Sequence, residues 1–272
     1  VDLSDIGTEH ADLAGEKMAR LGELGHRLEL RVPGGFVVTA RASRLLPESA
    51  PLRSHVQRLA ATGSHADADA LVALIEQAPT PPEVEAAITV ASERYSARFA
   101  VRSSAIGEDC QCSFAGQFET KLNVARDQVP RAWQAVVASL FSPRAMAYRR
   151  GLGLPWQQAA MAVGCLELVD AKAAGVAYSA DPADPDEPTI PVTAAPGLGV
   201  AVVEGRQGVD TYHVSRGQFR VERTRIGEKR EMAVPSPNGG VRWLPVSGEG
   251  RGRPVLSSAQ AAGVARAVCR IE

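Results

Sequence analysis

Val101-Arg-Ser-Ser-Ala-Ile-Gly-Glu-Asp-Cys-Gln-Cys-Ser-Phe-Ala-Gly-Gln-Phe-Glu-Thr-Lys-Leu-Asn-Val124 is the stretch on which the reading of this chain turns. It follows the apolar-to-basic step Phe99-Ala-Val-Arg102, passes through small hydroxyl residues, glycines and acids, and closes on the apolar Leu122 and Val124. These are the residue types of a phosphate-holding hairpin. Small residues let backbone N–H groups come close to an anion, and hydroxyls add donors. Arg102 contributes a permanent planar cation that can grip phosphate oxygens in pairs. By residue type alone, the stretch also fits an ordinary surface hairpin.

Composition narrows what surrounds it. With 272 residues, 45% of them hydrophobic, the chain can bury a substantial core in one large domain or two lobes. Thirty basic and 31 acidic residues leave a net charge of −1, which argues against a non-specific nucleic-acid or membrane-surface binder. No apolar run approaches the roughly 20 residues needed to cross a bilayer. Cys110, Cys112, Cys165 and Cys269 form no C-x-x-C pair and have no histidine at ligand spacing. Free thiols in a cytoplasmic protein are therefore expected, and no metal site is assigned within the chain.

Outward from the central stretch, the periodicities alternate. Residues 8–30 read as a helix, with Leu13, Met18, Leu21, Leu24 and Leu28 as its apolar stripe. Phe36-Val-Val-Thr39 reads as a short buried strand after a Pro-Gly turn, and residues 40–98 as mostly helical. Pro143 should end one helix and begin the next. Three strands are expected within 159–169, 175–182 and 190–199, then a hairpin over 210–223 and a terminal helix from Leu256, capped by Ser257 or Ser258. His213 reads as an exposed strand residue. Lys17, by pattern alone, reads as a solvated helix lysine.

The run Arg102-Ser-Ser-Ala…Glu108-Asp109…Ser113-Phe-Ala-Gly-Gln-Phe-Glu-Thr120 resembles the signature of the N-terminal nucleotide-binding domain of phosphoenolpyruvate synthase and pyruvate phosphate dikinase. Rifampicin phosphotransferases share that domain. Further segments are similar to the same family: Gly15-Glu16-Lys17…Leu21-Gly22-Glu23-Leu24, Val32-Pro-Gly-Gly-Phe-Val-Val-Thr39, Ser139-Leu-Phe-Ser-Pro-Arg-Ala-Met-Ala-Tyr-Arg149 and Gly197-Leu-Gly199. The resemblance implies an α+β, ATP-grasp-like fold that binds ATP. It implies that Arg102, as the catalytic cation, and Lys17 stabilise phosphate charge. It also implies that the backbone around Gly116 cradles phosphate and that Thr120 hydrogen-bonds the nucleotide. Glu108 and Asp109 would orient the loop, and Lys229 falls in a segment on the phosphate side. Arg144 and Arg149 fit either phosphate contact or structural ion pairs. Leu166 and Val200 stand where the family has a glutamine and a glutamate. Either base and ribose recognition is altered here, or ATP is bound weakly.

On the same resemblance, residues 1–100 would form the helical N-terminal part, 101–245 the phosphate-loop and sheet region, and 246–272 the start of a C-terminal lobe. The fold is expected to stop before its last catalytic strands, whose acids would hold Mg2+. The chain would then be a fragment that does not turn over ATP by itself. In the parent enzyme, ATP and pyruvate would give phosphoenolpyruvate and AMP through a phosphohistidine. The partners would be the nucleotide and the pyruvate and phosphohistidine domains of the parent chain, with a homodimer allowed. An antibiotic kinase domain of the rifampicin phosphotransferase type, or a non-catalytic nucleotide-binding module, are the alternative readings.

Overall fold

A computed structural model describes the chain except residues 49, 108–117, 155–158, 185 and 206–207, together with the side chains of 47, 48, 50 and 51. The chain is α+β and divides into two compact units, Val1–Leu168 and Val169–Glu272. The sequence boundary at residue 100 falls inside a strand of the first unit.

The first unit is built on an antiparallel sheet of β1 (Gly35–Val38), β4 (Met161–Glu167), β2 (Arg98–Ala105) and β3 (Thr120–Ala125), in that order. β4 is central and buried on both faces, hence its unbroken apolar sequence. Its odd residues Met161, Val163 and Cys165 join the larger core with Phe36, Phe99, Val101 and Trp133. Its even residues Ala162 and Leu166 join a second core with Leu3, Ala14 and Met18. After the short helices α2 (Ala40–Ser43) and α3 (Leu45–Glu48), helices α4 (Ala50–Thr62), α5 (His65–Gln77), α6 (Pro82–Ser92) and α7 (Val129–Ala138) contribute to the larger core. α8 (Pro143–Gly151) starts at Pro143 as expected, with the Ser142 hydroxyl accepting from Ala145 N–H.

The other sheet face carries α1 (Ala11–His26). Its buried residues are Ala14, Gly15, Met18, Ala19 and Gly22, and the leucine stripe read from the sequence is only half-buried. The reason is proximity. A Cβ on Gly164 of β4 would stand 2.1 Å from Met18 Sδ, and one on Gly22 would stand 2.2 Å from the Ile6 carbonyl oxygen. A helix this close to its neighbours must present small residues.

In the second unit, β5 (Ala173–Ala177), β6 (Thr189–Pro196), β7 (Asp210–Ser215) and β8 (Val221–Arg225) form an antiparallel sheet in sequence order. The terminal helix α10 (Ser258–Ile271), capped by Ser257 as expected, buries Ala261 and Ala265 against Ile190, Val192, Tyr212 and Val214. A hairpin of β9 (Glu231–Pro235) and β10 (Val241–Pro245) lies beyond the strands read from the sequence. Its turn signal, Asn238-Gly239-Gly240, was present, with both glycines at positive φ.

Candidate functional site

Arg102 lies on β2, whose neighbours Val101 and Ser103 are buried while Arg102 is exposed. In register it faces Gly164 of β4 on one side and Thr120 of β3 on the other. Directly paired residues share a face, so the Arg102 guanidinium and the Thr120 hydroxyl emerge together from one side of the sheet. Thr120 is also exposed. Two residues singled out more than a dozen positions apart in sequence are thus brought side by side.

That pairing depends on an irregularity. Near the start of β2, Arg98 pairs with Ala125 and Phe99 with Val124, but Val101 pairs with Lys121 and Arg102 with Thr120. Leu122 and Asn123 together oppose the single residue Ala100, which is a β-bulge on β3. Asn123 is buried and adopts φ 56°, the left-handed region that asparagine tolerates better than most residues.

Lys17 belongs to the first helical turn after a break in α1. Gly15 has φ 70° and ψ 156°, so the regular helix begins only after it. Its would-be Cβ stands 2.2 Å from the Ser104 carbonyl oxygen on β2. The Ser104 hydroxyl, itself buried, accepts the Met18 N–H at 3.2 Å. A strand residue thus supplies the cap that the helix lacks in its own sequence. Gly15 rests on Ser104 and Met18 covers Gly164, and these are the same-face neighbour and the cross-strand partner of Arg102. Lys17, exposed, stands between Gly15 and Met18 in the sequence of that turn. This start of α1 carries positive dipole character, which favours an anion.

Gly116, Glu108, Asp109, Cys110 and Cys112 lie outside the described residues. Leu166 is a core residue of the α1 face, paired with Ala100 and Gly35. Val200 opens the short helix α9 (Val200–Val203) of the second unit. Arg149 is buried in α8, and burial lowers its pKa. Burial pushes the Cys165 thiol up, so it is an inert core thiol.

In the second unit, Lys229 is a buried structural cation. Its ammonium donates to Asp210 Oδ1 at 2.6 Å and to the Gly227 carbonyl at 3.0 Å. Asp210 also accepts from the N–H groups of Gly227 and Val255 and from the Tyr212 hydroxyl. Nothing in the sequence marks these contacts beyond the acid and the base themselves.

Among the described residues, Asp181, Glu187 and His213 bring three metal-capable groups within 4.8 Å of one another. One Arg223 nitrogen lies 3.1 and 3.2 Å from the two imidazole nitrogens of His213. An atom so placed lies over the ring face, because in the ring plane it would collide with the ring. The same group is 3.4 Å from Glu187. The protein's own guanidinium therefore stands within this cluster and offsets the Glu187 charge.

The chain matches the family described as "Pyruvate phosphate dikinase, AMP/ATP-binding domain" over residues 11–272. It is 37% identical over 288 aligned positions to a rifampicin phosphotransferase of Streptomyces sp, covering 100% of this chain and 32% of that protein. It is 32% identical over 286 positions to a probable phosphoenolpyruvate synthase of Methanocaldococcus jannaschii, covering 99% of this chain and 24% of that one. With a phosphoenolpyruvate synthase of Pseudomonas aeruginosa it shares 30% over 300 positions, 100% of this chain and 38% of the other. The chain thus spans about a third of the length of the curated relatives it matches. The resemblance read from Arg102 to Thr120 is to the same family, and the match runs from the first residue of α1 through the three described sheets to the end of α10. The chain belongs to the AMP/ATP-binding domain family of pyruvate phosphate dikinase.

Proposed function

We propose that this chain is the ATP-binding domain, ATP-grasp-like in fold, of a phosphoenolpyruvate synthase or pyruvate phosphate dikinase-type phosphotransferase of the cytoplasm. In the parent enzyme ATP and pyruvate give phosphoenolpyruvate and AMP through a phosphohistidine, and this domain serves the ATP half. The observation that carries the reading is the pairing of Arg102 with Thr120, beside the helix start that rests on Ser104 and Gly164. In that arrangement Arg102 grips phosphate oxygens, Lys17 adds a second cation, and the Thr120 hydroxyl donates to the nucleotide. The backbone near Gly116 completes the cradle. Such chemistry is positioning and charge neutralisation rather than bond-making by the protein.

Magnesium bound with ATP neutralises phosphate charge and takes oxygen ligands. The described carboxylates beside these residues in sequence, Glu16 and Glu119, are engaged with Arg20 and Lys121. Those two do not form a carboxylate set for the ion, and we propose that acids of the parent enzyme hold it. The pyruvate and phosphohistidine domains belong to the parent chain.

A second reading keeps the same nucleotide chemistry and changes the acceptor to an antibiotic. It is favoured by 37% and 34% identity, over 100% of this chain, to two Streptomyces rifampicin phosphotransferases.

Calorimetric titration with magnesium-ATP, for the wild-type chain and for Arg102→Ala, tests the nucleotide reading. Binding by the wild type and a loss of roughly tenfold or more in the variant are expected, the scale of a lost charge-assisted hydrogen bond. Equal binding by both proteins would refute the role given to Arg102.

A further inference from the structure

We propose that Asn123 is a positioning residue of the nucleotide site, because its left-handed backbone sets the register that places Thr120, not Lys121, opposite Arg102. The inference rests on the nucleotide reading above and adds to it the device that assembles the site.

The sequence alone points to a different pairing. In Thr120-Lys-Leu-Asn-Val124, alternation puts Thr120, Leu122 and Val124 on one face. Val124 pairs with Phe99 and packs on the larger core. An unbroken ladder continued from that pair would set Leu122 opposite Val101 and Lys121 opposite Arg102. Thr120 would then point to the core side, away from Arg102. Two cations would stand directly opposed, which is unfavourable across a ladder. A one-residue slip turns every following side chain over.

The bulge prevents this. It takes up one residue between the Phe99–Val124 pair, held by the core, and the Arg102–Thr120 pair. Beyond it Thr120 shares the Arg102 face. Lys121, now paired with Val101, meets Glu119 at 2.5 Å. Asn123, at φ 56° and 2% exposed, is the residue that makes the turn. Among non-glycine residues asparagine accepts this conformation readily, and a β-branched residue resists it.

Three variants of the full chain separate register from mere stability. Asn123→Gly keeps positive φ accessible. Asn123→Val favours the unbroken ladder. Deletion of Asn123 removes the extra residue, so an unbroken ladder returns Thr120 to Arg102. Cross-strand proton contacts in NMR spectra read the register without nucleotide, and calorimetry with magnesium-ATP reads the site. The expected result is that Asn123→Gly and the deletion keep the Arg102–Thr120 contacts and wild-type affinity. In Asn123→Val the contacts move to Arg102–Lys121 and affinity falls roughly tenfold or more. An Asn123→Val chain that keeps the Arg102–Thr120 contacts overturns the proposal. So does a slipped register with unchanged affinity, or a deletion variant that loses the Arg102–Thr120 contacts. A wild-type chain without ATP affinity would overturn the nucleotide reading, while the register contacts still decide the role of Asn123.

Discussion

Gly15 and Ser104 meet backbone to backbone, so closely that a single methyl group on residue 15 would stand 2.2 Å from the Ser104 carbonyl oxygen. Gly15 is also at φ 70° and ψ 156°, a region nearly reserved for glycine. Gly15→Ala should therefore lower the stability of the first unit by about 2 kcal/mol or more, through backbone strain and overpacking together. Urea unfolding followed by tryptophan fluorescence checks this, since Trp133 lies in the larger core of that unit. A shift within about 0.5 kcal/mol, the level of an ordinary surface change, would contradict it.

Removing one partner of the buried Lys229–Asp210 pair strands the other. Asp210→Asn leaves an ammonium with neutral acceptors only, and Lys229→Met leaves a carboxylate with neutral donors. Each should cost about 3–5 kcal/mol. The double variant should cost clearly less than their sum, because it removes both charges. Additive losses in a denaturation cycle would show that the pair is not coupled.

Gln134 holds a joint between helices. Its amide donates to the carbonyls of Ile75 and Ala78, at the end of α5, and its oxygen accepts from Thr80. Gln134→Leu keeps much of the volume, takes the acceptor from the buried Thr80 hydroxyl and leaves the two carbonyls only their remaining donors, Ala78 N–H and Arg131. A loss of about 2–3 kcal/mol is expected by denaturation, with little change for an exposed control such as Gln128→Leu.

Tyr95 donates to Asp2, and its phenol is pushed up to about 12, by burial first and then by that hydrogen bond and the Asp2 charge. An unfolded tyrosine ionises near pH 10. The folded state therefore holds its proton longer, and stability falls as pH rises from about 10 towards 12. Tyr95→Phe should show a shallower decline across that window. Parallel stability curves for the two proteins would exclude this contribution.

Much of this was legible in the sequence. The Arg102–Thr120 run identified the family and two side chains that the sheet brings together. Apolar runs such as residues 159–169 marked buried strands, and Pro143 marked a helix start. What stayed hidden depends on single backbone angles and on close approach. An alternating Thr-Lys-Leu-Asn-Val reads as an unbroken strand, and the bulge shows only in the pairing register and the φ of Asn123. The leucines of α1 advertised a packing face. The face that packs carries glycine and alanine, because van der Waals distance to the sheet, not hydrophobicity, decides which side fits. Lys229 lay in a segment similar to a phosphate-side one, yet its charge is consumed by Asp210. That pairing spans 19 residues, and no local pattern encodes it.

β4 is the last strand of its unit to be synthesised, yet it is an inner strand of its sheet, between β1 and β2. Gly35 must wait for Leu166, and Phe99 for Glu167. On the ribosome the early helices can form from local contacts, while β1 lacks its neighbouring strand until residues near 166 emerge. Closing loops of that length makes assembly of the sheet late and slow. In the interval Phe36 and Phe99 lack the strand that later lies between β1 and β2. The unit therefore passes through a stage open to aggregation and to capture by chaperones, and arrival of β4 ends it.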